Sequence, residues 1–71
     1  MKGNAMTENK KPKCKLVGEN GNVFNLMAIA SRTLKRHRLA DQAEEMVQRI
    51  QQEAKSYDEA LVLIMEYVDV Y

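Results

Sequence analysis

Few residues in this chain belong to types that do chemistry, and their spacing limits what they could do. His37 is the only histidine, with Glu44 and Glu45 following seven and eight residues later. With either carboxylate nearby, the imidazole could act as a general base. Such a site also needs a nucleophile and an enclosed pocket, for which a chain of this size has little room. A surface histidine in a basic run is the plainer reading, and no enzymatic activity is expected. Cys14, the only cysteine, lies among Lys11, Lys13 and Lys15, a positively charged stretch of the kind in which reactive thiols occur. An incidental strand residue is the preferred reading. One cysteine cannot form a disulfide within the chain, which points to a reducing, cytoplasmic setting. Cys14 and His37 fall short of the four ligands of a structural zinc, so neither metal nor cofactor is expected. Gly18-Glu19-Asn20-Gly21 has the spacing of a G-x-x-G clamp on a nucleic-acid backbone. That clamp joins two helices, whereas these flanks read as strands, and a hairpin turn fits better. No G-K-S/T follows, which excludes a phosphate loop.

The sharpest feature is the basic cluster Arg32, Lys35, Arg36, His37, Arg38. Spacings of three and four place Arg32, Lys35, Arg36 and Arg38 along one strip of a helix. Together with a lysine-rich tail, that strip could neutralise several phosphates. No aromatic stacking residues stand beside it, which favours a solvated face that compensates the helix dipole. The net charge of +1 hides a polarity. Residues 1–15 carry five lysines against Glu8, and residues 16–40 carry four cations against Glu19. Residues 41–71 carry only Arg49 and Lys55 against eight acids. A basic half therefore precedes an acidic one.

The elements that must position these residues follow from patterning. At 45% apolar and 30% charged, the chain is too apolar for full disorder. The longest apolar run, Ala60 to Met65, is far too short to span a membrane. Residues 1–12 lack periodicity and read as a flexible basic tail ending at Pro12, leaving 13–71 as one small domain. Asn20-Gly21 signals a type I′ turn, predicting a β-hairpin of roughly 14–18 with 22–24. A helix is expected over 25–38, capped by Asn25, with Leu26, Met27, Ile29, Ala30 and Leu34 as its apolar stripe. A second helix is expected over 40–54, with Ala43, Met46, Val47, Ile50 and Ala54 as a seam. The join near Leu39 and Ala40 has no Gly or Pro, so a short bend and a continuous helix both fit. A third helix is expected over 57–70, opened by the capping box of Ser56 and Glu59. Met27, Met46 and Met65 fall on the apolar faces as adaptable core filling. The predicted fold is mainly α, a small α+β domain: tail, β-hairpin, then a three-helix bundle.

From about Lys13 to Val70 the chain resembles short bacterial proteins associated with mobile elements. The pattern lies in Gly18-Glu19-Asn20-Gly21-Asn22-Val23-Phe24-Asn25-Leu26, Ala30-Ser31-Arg32, Ser56-Tyr57-Asp58-Glu59-Ala60-Leu61 and Ile64-Met65-Glu66-Tyr67-Val68. The resemblance implies a bacterial or phage origin and a cytoplasmic location, and supplies no activity. Apolar residues cover two faces of the third helix, and a domain this small hides them poorly. A homodimer is therefore expected, with Leu61, Ile64, Met65, Tyr67 and Val68 at or near its interface. The functional expectation is a non-enzymatic interaction or regulatory protein with a protein partner and no membrane contact. Nucleic-acid binding through Arg32, Lys35, Arg36 and Arg38 is the alternative. A further alternative is inhibition of a host defence complex, with the acids around Glu44, Glu45, Glu53 and Glu66 imitating phosphates.

Overall fold

A computed structural model describes residues 11–71. Its elements run β1 (Lys13–Cys14), α1 (Val23–Arg36), α2 (Ala40–Glu53), α3 (Tyr57–Tyr67) and β2 (Asp69–Val70). This is the small, mainly helical α+β architecture that the patterning predicts. Residues 1–10, most of the expected tail, lie outside the described residues. Lys11 and Pro12 belong to the fold. Lys11 Nζ donates to the Met65 carbonyl, and the Asp69 N–H donates to the Pro12 carbonyl, both at 2.8 Å.

The expected β-hairpin is absent, and its first strand has a different partner. β1 pairs in parallel with β2, Lys13 opposite Asp69 and Cys14 opposite Val70. The whole helical bundle is thus the crossover that a parallel pair requires. Beyond the ladder, the Leu16 and Val17 N–H groups both reach the Tyr71 carbonyl, at 2.7 and 2.9 Å. The turn that follows β1 is not at Asn20-Gly21. Glu19 N–H bonds the Leu16 carbonyl at 3.1 Å, and Gly18 sits between them at φ +88. Positive φ at the third position is what a type II turn demands of glycine.

Val23 and Phe24, expected in a strand, instead open α1, because Asn22 caps them. Asn22 Oδ1 accepts from the Phe24 N–H at 2.8 Å, and Asn20 Oδ1 accepts from the Asn22 N–H at 2.9 Å. The cap therefore lies at Asn22 rather than Asn25, whose side chain donates back to the Asn20 carbonyl. An N-cap oxygen satisfies a donor that the helix cannot, and this outweighs the strand propensity of Val23 and Phe24.

The α1–α2 join is a bend. Leu39 N–H reaches the Leu34 carbonyl at 2.8 Å and Arg38 N–H the Lys35 carbonyl at 3.0 Å. These are the two bonds of a Schellman cap, with Arg38 at φ +63 where glycine is usual. Half-buried Leu39 packs against the core to which fully buried Leu34 belongs. His37 Nδ1 donates to the Thr33 carbonyl at 2.9 Å, closing the same helix end.

α3 starts as expected. Ser56 Oγ accepts from the Glu59 N–H at 3.1 Å, while the Glu59 carboxylate reaches one residue further back, to the Lys55 N–H at 2.7 Å. Its end differs from the expectation, since the helix stops at Tyr67 and the chain runs on extended. Val68 is buried, Asp69 exposed, Val70 half-buried and Tyr71 exposed, the alternation of a strand. The core gathers Leu34, Met46, Ile64, Val68 and Cys14 as its largest fully buried side chains. Thr33 is the one buried polar residue among the described residues, and its Oγ1 lies 3.5 Å from Cys14 Sγ, which ties β1 to α1.

Candidate binding surfaces

α1 presents two opposed faces. Leu26, Ala30, Thr33 and Leu34 are buried on one side, and Arg32, Lys35 and Arg36 stand exposed on the other. At 100° per residue the three cations span about 100° of arc, centred opposite the core. Arg38 is exposed at the bend that follows. Among the described residues, no acidic side chain lies within ion-pair distance of any of the four; the ion pairs all belong to Arg49. Lys13 and Lys15 are exposed on either side of buried Cys14, on the face of β1 turned away from α1.

The general-base arrangement weighed for His37 and its following glutamates does not assemble. The Nδ1 of His37 is engaged by the backbone of its own helix, and Glu45 is engaged elsewhere. Cys14 is buried rather than presented among its lysines. No cluster of three or more potential metal ligands occurs among the described residues. Nor is any of their helices long and apolar enough to cross a membrane.

The acids of α2 and α3 are partly bound into a clasp. Arg49 Nη1 donates to Glu66 Oε1 at 2.8 Å and to the Tyr67 hydroxyl at 3.2 Å. Its Nε and Nη2 reach the two oxygens of Glu53, both at 3.4 Å. The Tyr67 hydroxyl in turn donates to Glu45 Oε2 at 3.0 Å. Bonds to Tyr67, Glu66 and Glu53 hold the Arg49 guanidinium firmly protonated. Burial raises the Tyr67 phenol above its ordinary value, and the bond to Glu45 adds to this while Arg49 pulls the other way. The clasp locks α2 to α3, so three of the four acids offered as phosphate mimics (Glu45, Glu53 and Glu66) are held in internal contacts.

The expected dimer residues divide. Ile64, Tyr67 and Val68 are buried within their own chain, so they are core residues here. Leu61 is half-buried and Met65 is 46% exposed. Sequence reasoning missed the residues that do form an apolar surface. Phe24 and Val17 are each 69% exposed, and Val62 is 55% exposed. Phe24 stands at a groove of about 370 Å³ where α1 begins, α2 ends and α3 begins, beside Val23, Met27, Ile50, Ala54 and Tyr57. A second depression, of about 290 Å³, lies further along the α1–α2 pair between Ser31, Lys35, Glu44, Val47 and Gln48. A trough of about 220 Å³ runs beside α3, with Val17, Tyr57, Leu61 and Met65 on its walls. The signal for Phe24 was available only with α1 started at Val23. In that register Phe24 falls off the buried stripe, between the core and the basic strip.

No family model, curated protein or solved structure matches the chain.

Proposed function

We propose that this protein is a non-enzymatic binding module that takes an apolar segment of another protein into the groove between the start of α1, the end of α2 and the start of α3. The observation that carries this is Phe24, a large aromatic left 69% exposed at the mouth of an apolar groove. Burying such a side chain stabilises by about 1.5–3 kcal/mol, so leaving it in water favours a partner that covers it. Aromatic anchors in pockets dominate protein interfaces, and the polar depression further along α1 and α2 suits a rim. A photo-crosslinking residue at position 51, on the wall of the same groove, should give adducts in cells of the source organism, and adding Phe24→Asp should abolish capture while leaving the fold intact. Equal capture by the wild type and by Phe24→Asp would defeat the reading.

The four unpaired cations of α1 and its bend favour a second reading, contact with nucleic-acid phosphates. Binding of a duplex should then weaken steeply with salt. Replacing Arg32, Lys35 and Arg36 by alanine should reduce the slope of log K against log salt by about 3. An absence of binding at low salt rejects this second reading and leaves the first untouched.

A further inference from the structure

We propose that the outer strip of α3 is a homodimer interface, in which two copies of α3 lie antiparallel across a two-fold axis near Leu61. Tyr57, Leu61 and Met65 recur every four residues and form a line on the helix, with Val62 beside it. None of the four is among the fully covered side chains, and the line runs along the flank of the side that Ala60, Leu63, Ile64 and Tyr67 bury. The trough beside this line is apolar, and Val17 stands at its lip next to Tyr71. A second copy suits this surface for two reasons.

The first is charge. A two-fold interface must be complementary to itself. The start of α3 carries Asp58 and Glu59 against Lys55, all exposed. At the other end of the strip the Lys11 ammonium sits on the Met65 carbonyl, and Lys13 lies opposite Asp69 just beyond the helix. Turning one copy end for end brings the acidic end of each helix to the lysine end of its partner, with Tyr57 facing Met65 and Leu61 facing Leu61. A parallel arrangement would set like charges together at both ends. Glu66, one turn beyond Val62, has its carboxylate engaged by Arg49.

The second is area. Val17, Tyr57, Val62, Met65 and Tyr71 are each between 46% and 69% exposed. Together they present on the order of 500 Å² of apolar surface per copy. A stable interface covers about 800 Å² per partner, of which roughly 60% is apolar. The strip matches that share, and the lysines and acids at its ends form a polar rim. The strip shares Tyr57 with the Phe24 groove but does not include Phe24, so Phe24→Asp should leave the dimer intact.

The full chain should sediment as twice its monomer mass and fall to one on dilution. Under mild oxidation Leu61→Cys should form a covalent dimer, with the native chain as background because Cys14 is buried. Tyr57→Cys should not crosslink to itself, yet should crosslink when mixed with Met65→Cys. Asp58→Lys touches no buried residue and should weaken the dimer roughly fivefold, and adding Lys11→Asp should restore it. A monomer across the whole dilution series overturns the proposal. So does a Tyr57→Cys dimer that forms as readily as the Leu61→Cys one, or a double charge swap that fails to recover association.

Discussion

Arg38 occupies the left-handed region at the α1–α2 bend, where an L side chain is strained by about 1 kcal/mol relative to glycine. Arg38→Gly is expected to stabilise the fold by about that much, seen as a rise in melting temperature of about 4–8 °C. Gly18 is the converse case. Nothing lies within 4 Å of a Cβ built there, yet its φ of +88 makes any side chain unfavourable, so Gly18→Ala should destabilise through backbone strain alone. Tyr67 gives the fold a pH dependence. Its phenol is raised in the folded state, chiefly by burial, so folding favours the protonated form. That stability is complete below the ordinary tyrosine value of about 10 and is lost as pH rises through the raised one. A tyrosinate titration should show one displaced step accompanied by unfolding, and Tyr67→Phe should remove that step.

At the scale of elements, the two capped helix starts rank differently in how openly they are written. Ser56 with Glu59 is legible as a capping box, and the structure places the Ser56 bond as expected. Asn22 was hidden because Asn20, Asn22 and Asn25 offer three competing caps, and only the bonds among them select the middle one. Asn22→Ala and Ser56→Ala should each cost about 1 kcal/mol in chemical denaturation, with the loss assigned to α1 and α3 respectively. The end of α3 was misread because Val68 to Tyr71 continues the apolar run of the helix. The period-2 alternation there is only four residues long, too short to override a helical pattern unless a partner strand is in view.

For the molecule as a whole, β1 and β2 join the two ends of the bundle through only a few backbone bonds. Removing residues 69–71 takes away the acceptors of the Leu16 and Val17 amides and the donors to Pro12 and Cys14. Hydrogen exchange at Leu16 and Val17 should then accelerate well before exchange in the helices does. A domain of this length has a total stability of only a few kcal/mol. Ile64→Ala, which empties a fully buried position at a cost of about 2–5 kcal/mol, should therefore leave much of the population unfolded. That contrast matters for reading mutants of α3. Loss of function from Ile64, Tyr67 or Val68 variants reports on folding, whereas Met65 and Val62 report on the surface.

The sequence by itself determined the three helices, the seams of α1 and α2, the start of α3 and the cationic outer face of α1. All of these are local, because periodicity, capping chemistry and charge act over a turn or two of chain. Only the tertiary structure decided that β1 pairs with the far end of the chain, that Phe24 is left uncovered beside a groove, and that α3 divides into a buried side and an open one. Those outcomes depend on which surfaces meet after the helices pack. Contacts between residues more than fifty positions apart, such as Lys13 with Asp69, leave no periodic trace in the stretches on either side.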